Sequence, residues 1–279
     1  MPIINNIMKE WYNKMNILIY AIIFMMGTFF GSFYTLAVYR IPIHENITHK
    51  HSFCPNCKNK LGVLDLIPVF SYIFLGGKCR HCGQKIRIRY FILEILSGLF
   101  FLVTALSLNL NFYNLEILKI GYMCFTSLYF TGLIIIAGID KENRNIPNSL
   151  INYLFIINVL YMLYLCIVDK TNMYRYIISI AMIIICLIVR KILKGKIDEY
   201  IVNILSLIIA IIIFNNILIT LLTFAILSIA YGIKICINIL KKKDILATKK
   251  NEKIAFKLCT YNIISVIIIN IMLNFILQK

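Results

Sequence analysis

The sequence predicts an all-α, polytopic membrane protein with about eight transmembrane helices and a small zinc-binding loop on the cytoplasmic side. Of its 279 residues, 61% are hydrophobic, and its mean hydropathy is +0.84, whereas soluble domains contain about 45–50% apolar residues. Apolar windows of about 20 residues, the length of a helix that crosses a bilayer, recur along the chain. Because no alternating pattern typical of a barrel strand is present, helices are expected.

Eight apolar windows can be placed along the chain. They lie at residues 16–38, 90–108, 117–139, 149–168, 176–189, 200–214, 217–240 and 255–277. The first is expected to be a retained anchor rather than a cleaved signal peptide, because it is long and further windows follow it.

The distribution of charge predicts the topology. Lys and Arg number 29 against 12 Asp and Glu, a formal net charge of +17. Basic residues concentrate in cytoplasmic loops, and 22 of the 29 fall in alternate loops on one side, against five on the other. Both termini are therefore expected outside and the long loop 40–89 in the cytoplasm. The sequence has no basic patch interleaved with aromatic residues, so it does not indicate binding to nucleic acid. The lipid bilayer is the expected partner.

Four cysteines of the loop 40–89 form two C-x-x-C pairs with 21 residues between them. The pairs are Cys54 with Cys57 and Cys79 with Cys82. This spacing predicts a tetrahedral structural zinc site. A disulfide is disfavoured in the reducing cytoplasm, and a thioredoxin-like role requires one such pair rather than two. His51 and His81 are alternative ligands, although exposed histidines without a ligand role are the simpler interpretation.

The aspartates are the candidate catalytic groups. Asp65 and Asp244 lie in contexts typical of solvated or salt-bridged carboxylates, and Asp169 falls on the predicted outer side of the membrane. Asp140 follows the third apolar window and Asp198 precedes the sixth, on the same predicted face of the membrane. Two carboxylates that share a site do not both ionise easily, so one acts as an acid while the other acts as a base towards water. Since no histidine lies within a window, Ser–His and Cys–His arrangements find no support.

Several motifs, taken in order, resemble the type IV prepilin leader peptidases, bifunctional membrane enzymes also called prepilin peptidase/N-methyltransferases. They are Gly27-Thr-Phe-Phe-Gly31-Ser32-Phe33, Val38-Tyr39-Arg40-Ile41-Pro42, the two cysteine pairs, Leu66-Ile67-Pro68-Val69-Phe70-Ser71-Tyr72, and Ile88-Arg89-Tyr90 followed by Glu94. Glu94, one turn inside the second window, is expected to pair with Tyr90 or with an arginine of the preceding loop.

The resemblance implies an intramembrane aspartyl protease whose first aspartate precedes Ile-Pro-Asn and whose second ends a G-x-G-D motif. Asp140 with Ile146-Pro147-Asn148 matches the first. Gly195-Lys196-Ile197-Asp198 keeps the aspartate but has isoleucine for the second glycine, and Tyr200 stands where lysine is usual. Ile254-Ala255-Phe256-Lys257 weakly resembles the Ile-Pro-Phe-Gly of the family.

The function implied is cleavage of basic leader peptides from prepilin or pseudopilin precursors at the cytoplasmic face of the bacterial inner membrane. Methyl transfer from S-adenosylmethionine to the new N-terminus is implied as well, although no residue pattern shows a pocket for it. Residues 1–89 would form the N-terminal domain associated with methylation, and residues 90–279 the peptidase domain.

Two other interpretations stay open. The changes at Ile197 and Tyr200 fit a non-catalytic scaffold or assembly factor of a pilus or secretion system that keeps the zinc loop, with Asp198 salt-bridged to Lys194 or Lys196. A transporter would need charged residues in the middle of its spans and fits least well.

Overall fold

The structure, a computed structural model, describes residues 2–43, 45, 51–111, 116–143, 146–168, 173–193, 198–215, 217–240 and 253–277. Most of these residues are helical, and the β pairing among them consists of two isolated bridges. The all-α class predicted from the sequence is therefore confirmed.

The helices of the described residues follow one another along the chain. They are α1 (Pro2–Arg40), α2 (Phe70–Phe74), α3 (Ile88–Ser107), α4 (Ile117–Asn143), α5 (Asn148–Val168), α6 (Met173–Leu193), α7 (Glu199–Phe214), α8 (Ile217–Leu240) and α9 (Ile254–Leu277), with a 3-10 turn at Val63–Leu66.

Each predicted apolar window lies on one of these helices. Within the described residues, five helices are long and apolar enough to cross a membrane: α3, α5 and α6, together with Glu10–Arg40 of α1 and Ile117–Glu142 of α4. Shorter apolar stretches are described in α7, α8 and α9. A membrane protein is thus confirmed, and the count of eight spans stays a prediction.

The end of α4 differs from the sequence interpretation. The third apolar window ends at residue 139, and the sequence predicts a polar loop from Asp140 onward. Instead, α4 continues to Asn143, so Asp140 lies inside the helix. A hydropathy window detects the end of the apolar run, whereas Asp, Lys and Glu can continue the backbone hydrogen bonds of a helix beyond it.

Contacts divide the chain into two compact units. Unit 1 comprises Met1–Cys124 with Asn270–Lys279, and unit 2 comprises Phe125–Ile269. This division concerns packing, so the functional boundary placed at residue 89 stays a prediction.

In unit 1, glycines bring α1 and α3 into close contact. A Cβ added at Gly27 would lie 2.8 Å from the Cα of Gly98, and one added at Gly31 would lie 2.7 Å from the Cα of Glu94. Small residues four positions apart let membrane helices approach this closely. The rings of Phe30 and Phe101 stack beside the contact, with centroids 5.2 Å apart. The glycines of the first motif therefore form the contact between the helices.

In unit 2, α5, α6 and α7 pack on one another, and α7 also packs on α8. Gly132 of α4 lies against Tyr153 and Leu154 of α5, where an added Cβ would meet Leu154 at 2.6 Å. The rings of Tyr129 in α4 and Phe214 in α7 are stacked at 3.8 Å. The middle of α4 therefore packs against α5 and against the C-terminal end of α7.

Candidate active site and metal centre

The four loop cysteines form one cluster in unit 1. Their Sγ atoms all lie within 4.8 Å of one another, and those of Cys54 and Cys82 are 3.9 Å apart. Ligands at the usual Zn–S distance of about 2.3 Å in a tetrahedron are about 3.8 Å apart. The cluster thus has the size and donor chemistry of a zinc site. No histidine joins it among the residues described, and His51 and His81 are both exposed.

The two cysteine pairs share one backbone design. The N–H of Lys58 donates to the carbonyl of Cys54 at 2.9 Å, and the N–H of Gly83 donates to the carbonyl of Cys79 at 3.0 Å. The residue after each pair has positive φ, 60° at Lys58 and 69° at Gly83. Glycine adopts this conformation without strain, as at Gly83 after the second pair. After the first pair a lysine, Lys58, adopts the same conformation.

Backbone and side-chain donors act on the thiols. The N–H of Cys57 lowers the pKa of Cys54, and the N–H of Gln84 with the amide of Asn56 lowers the pKa of Cys82 to about 6. At Cys57 the N–H of Asn59 lowers the pKa, but burial and the neighbouring thiols raise it by more. The net effect is a pKa of about 11, above the ordinary value of a thiol. Thiolates are the form that binds zinc, so the lowered values at two positions suit ligation.

An ion pair joins the second cysteine pair to the 3-10 turn. Arg80 donates to Oδ1 of Asp65 at 2.8 Å, and the N–H of Gly62 donates to Oδ2 of Asp65 at 3.2 Å. Burial raises the pKa of Asp65, but Arg80 and this N–H outweigh it and hold the pKa below its ordinary value. The salt-bridged role predicted for Asp65 is confirmed. Asp169 and Asp244 lie outside the described residues.

Glu94 has partners other than those predicted. Its Oε2 accepts the backbone N–H of Val69 at 2.7 Å, and the Ser32 side chain donates to the same carboxyl. The expected pairing with Tyr90 or a loop arginine is therefore wrong. The carboxylate turns instead towards the start of α2, where Val69 has φ +66°, rare for a β-branched residue. Glu94 thus fastens the Leu66–Tyr72 motif to α1 and α3.

In unit 2, Asp140 is fully buried, with 0% of its surface exposed. Its Oδ1 accepts the hydroxyl of Tyr200 at 2.8 Å, and its Oδ2 accepts the backbone N–H of Phe256 at 2.8 Å. The hydroxyl of Tyr200 in turn accepts the N–H of Ile254 at 3.2 Å. The carboxylate of Asp140 is therefore held where the end of α4 meets the beginnings of α7 and α9.

The first turn of α9 supplies two of these donors. The first N–H groups of any helix have no partner within the helix, and the helix dipole favours a negative charge beside them. Residues 254–257 are the segment that matched the family only weakly in sequence. The structure shows that backbone N–H groups of this segment contact the Asp140 site, and a side-chain motif does not report such groups.

Asp198 lies at the N-cap of α7, where its Oδ1 accepts the backbone N–H of Tyr200 at 3.0 Å. Its side chain is exposed, and within the described residues no hydrogen bond joins it to Asp140. Both carboxylates nevertheless bond to Tyr200, one to the hydroxyl and the other to the backbone. The alternative partners Lys194 and Lys196, like Gly195 and Ile197, lie outside the described residues. The catalytic pairing of the two aspartates stays a prediction.

The sequence did not predict a polar network that lies beside these helices. In the sequence Arg190 is only one of the basic residues assigned to a cytoplasmic loop. Arg190, in the last turn of α6, donates to the side chains of Asn152 and Asn203 at 3.0 Å each and to that of Asn148. Asn203 donates to the carbonyl of Ile146 at 3.0 Å. The network fixes the Ile146–Asn148 motif that follows α4. The signal for it was asparagine within apolar windows, since polar groups in a membrane are costly unless they are paired.

Comparison with known proteins gives related matches. A sequence model of the family "Bacterial Peptidase A24 N-terminal domain" matches residues 25–108. Proteins named prepilin leader peptidase/N-methyltransferase are similar as well: that of Bacillus subtilis is 33% identical over 47% of this chain and 49% of its own length. That of Vibrio cholerae is 32% identical over 51% and 56%, and that of Myxococcus xanthus is 37% identical over 28% and 24%. No solved structure matches.

These matches confirm the resemblance to prepilin leader peptidases that the motifs indicated. The chain spans about half the length of the curated relatives it matches. The residues matched by the family model include the cysteine cluster and Glu94 and end before Asp140.

Proposed function

We propose that this chain, which resembles the prepilin leader peptidase/N-methyltransferases, is an aspartyl endopeptidase of the bacterial inner membrane. Its substrates would be prepilin- or pseudopilin-like precursors with basic leader peptides, cut at the cytoplasmic face. The observation that carries the proposal is Asp140, a fully buried carboxylate held by two donors near the end of a helix that is long and apolar enough to cross a membrane. Charged groups inside a membrane are rare and mark functional sites.

Hydrolysis would use Asp140 and Asp198 around one water molecule. One carboxylate takes a proton from the water, which adds to the scissile carbonyl, and the protonated partner gives its proton to the leaving nitrogen. The exposed side chain of Asp198 is open to water. Both groups are attached to the same turn of α7 through Tyr200, so that turn sets their spacing.

Substrate recognition would rely on apolar contact rather than on charge. The loops on the predicted cytoplasmic side are basic, and a basic leader peptide is repelled by them. A precursor's apolar helix can instead pack against membrane helices through van der Waals contact between apolar surfaces. The exposed apolar side chains of α5 and α6 provide such surfaces.

Coexpression with a prepilin-like precursor tests the peptidase. The wild-type chain should shorten the precursor on a gel, and mass spectrometry should locate the new N-terminus after the basic leader. Asp140→Asn serves as the matched inactive form and should leave the precursor intact. If the wild type leaves the precursor uncut but binds zinc, the scaffold interpretation gains support. The position of Asp198 at the N-cap of α7 also favours that interpretation.

For methyl transfer, we extend the proposal to a cavity in unit 1 of about 300 Å³. Its lining includes the stacked rings of Tyr72 and Phe91, with centroids 4.8 Å apart, and the carboxylates of Asp65 and Glu94. Aromatic faces suit a purine and attract a cation, and carboxylates accept hydrogen bonds from ribose hydroxyls. These residues therefore fit S-adenosylmethionine, which when bound would supply the methyl group for the new amino terminus.

Direct binding tests the cavity without any turnover. Equilibrium dialysis with labelled S-adenosylmethionine should show binding to the wild type and a loss of roughly tenfold or more in Tyr72→Ala, because stacking on one aromatic ring contributes about 1–3 kcal/mol. Phe74→Ala is the matched control, since Phe74 lies on the same short helix, is 84% exposed and does not line the cavity. Equal affinity in both variants would exclude this cavity as the site.

A further inference from the structure

We infer that Tyr200 is a positioning residue that holds Asp140 in its reactive orientation, at the position where the resemblance leads one to expect lysine. The inference rests on the proposed peptidase function. The sequence presented Tyr200 as a departure from a catalytic motif, and the structure places its hydroxyl on the buried aspartate.

The direction of the hydrogen bond follows from the chemistry of the phenol. A tyrosine hydroxyl has one hydrogen to donate and lone pairs that accept. The N–H of Ile254 donates to the Tyr200 oxygen at 3.2 Å, and a carboxylate accepts only. The single hydroxyl hydrogen of Tyr200 is therefore directed at Oδ1 of Asp140.

The carboxylate of Asp140 is then held at both oxygens. Oδ1 accepts from Tyr200, and Oδ2 accepts from the N–H of Phe256. A carboxylate with two fixed donors does not rotate about its terminal bond without losing one of them. Geometry held in this way is what a catalytic group needs, since a misplacement of about 1 Å can lower a rate roughly a hundredfold.

Tyr200 also reaches the second candidate aspartate. Its backbone N–H donates to Oδ1 of Asp198 at 3.0 Å. Removing the hydroxyl leaves this bond in place, because it belongs to the main chain. Of the two candidate aspartates, the side chain of Tyr200 therefore contacts Asp140 and its backbone contacts Asp198, and the two contacts can be separated by substitution.

Tyrosine serves here as a neutral donor. A lysine at the same position would bring a positive charge, which is costly to bury unless it is paired. Tyr200 is half-buried and the carboxylate it contacts is fully buried. A phenol holds the carboxylate there without adding a charge, and a lysine ammonium could donate to the same oxygen at the cost of desolvation.

The decisive variants are Tyr200→Phe, which deletes only the hydroxyl, and Tyr200→Lys, which restores a donor of different chemistry. Tyr153→Phe is the matched control in the same unit, because it removes a hydroxyl that donates to the carbonyl of Leu128 at 2.8 Å. Cleavage of a purified precursor in detergent gives kcat and KM, and thermal unfolding gives the folded fraction used to normalise them.

A positioning role predicts a split between the constants. Tyr200→Phe should lower kcat roughly tenfold to a hundredfold with KM changed by less than about twofold, because substrate binding is untouched. Tyr200→Lys should recover most of the lost kcat, and Tyr153→Phe should match the wild type. If Tyr200→Phe keeps the wild-type kcat, or if only KM rises, the inference is overturned. Equal losses in Tyr200→Phe and Tyr200→Lys would overturn it too.

A second measurement does not depend on peptidase activity. If the hydroxyl bonds to Asp140, the melting-temperature changes of Tyr200→Phe and Asp140→Ala should not add in the double variant, since each substitution removes the same interaction. Additive changes would overturn the contact itself. A wild-type chain that fails to cleave any precursor but shows this coupling would refute the proposed function and leave the contact between Tyr200 and Asp140 standing.

Discussion

The cysteine cluster of unit 1 and the Asp140 site of unit 2 are built in opposite ways. The cluster joins residues at most 28 positions apart, and each of its pairs lies on one tight turn. The Asp140 site joins residues 60 and 116 positions apart, carried by the ends of three helices. The cluster can therefore be recognised from spacing alone. The Asp140 site depends on the tertiary packing that brings the ends of three long helices together.

The two sites should also fail differently when altered. Small metal sites provide much of the stability of the loop around them. The carboxylate site lies on helices whose packing does not depend on one hydrogen bond. Loss of a cysteine should thus affect structure first, and loss of an aspartate should affect chemistry first.

The largest effect is expected at the aspartates. Asp198→Asn should reduce precursor cleavage about a thousandfold or more, as should Asp140→Asn, and the double variant should be no worse than either, because groups that act as a unit lose activity together. Gel shift of the precursor measures cleavage, and zinc content with membrane insertion should stay normal. Full cleavage by Asp198→Asn would move the second acid to Glu142 or Glu199, the acidic residues beside the two motifs.

Next in size is the loss of a zinc ligand. Cys57→Ser and Cys82→Ser should lose stoichiometric zinc, measured by elemental analysis, and should become protease-sensitive within residues 40–89, because an open site no longer holds the loop. Cys124→Ser, on α4 and away from the cluster, is the control. Unchanged proteolysis with retained metal would show that these cysteines are not ligands.

A smaller loss of stability is expected when the contact between α1 and α3 in unit 1 is altered. The residues of this contact are distant in sequence. Gly31→Val places a side chain where even a Cβ would lie 2.7 Å from the Cα of Glu94, so overpacking should destabilise the protein by about 1–3 kcal/mol. Thermal unfolding in detergent measures the change. Gly62→Ala is the comparison, because its nearest neighbour would lie at 3.6 Å. Equal stability of the two variants would contradict the close packing of α1 on α3.

The smallest effect is expected at the ion pair beside the cluster. Asp65→Asn should destabilise the loop by less than about 1 kcal/mol, because Arg80 is half-exposed, and cleavage should stay normal. Since the pKa of Asp65 lies below its usual range, its contribution is complete above about pH 4 and is lost only as the pH falls through the lowered value. Limited proteolysis against pH checks this, and a loss between pH 6 and pH 8 would point to another group.

By itself the sequence determined the class of protein, the four cysteines that cluster and the candidate Asp140. Apolar windows report helices because a bilayer leaves backbone groups no other partners, and C-x-x-C spacing reports a turn because its geometry is local. The sequence shows the glycines of the first motif, but it does not show which helix they contact. The residues of α3 that these glycines contact lie 63 and 71 positions further along the chain.

Only the tertiary structure decided what surrounds the carboxylates. The partner of Glu94 is a backbone N–H of the loop, and the partners of Asp140 are a backbone N–H and the hydroxyl of Tyr200. Backbone donors exist at every residue, so no side-chain pattern announces which of them will be used. They become specific when a helix begins beside a buried charge, because the first N–H groups of that helix have no other partner.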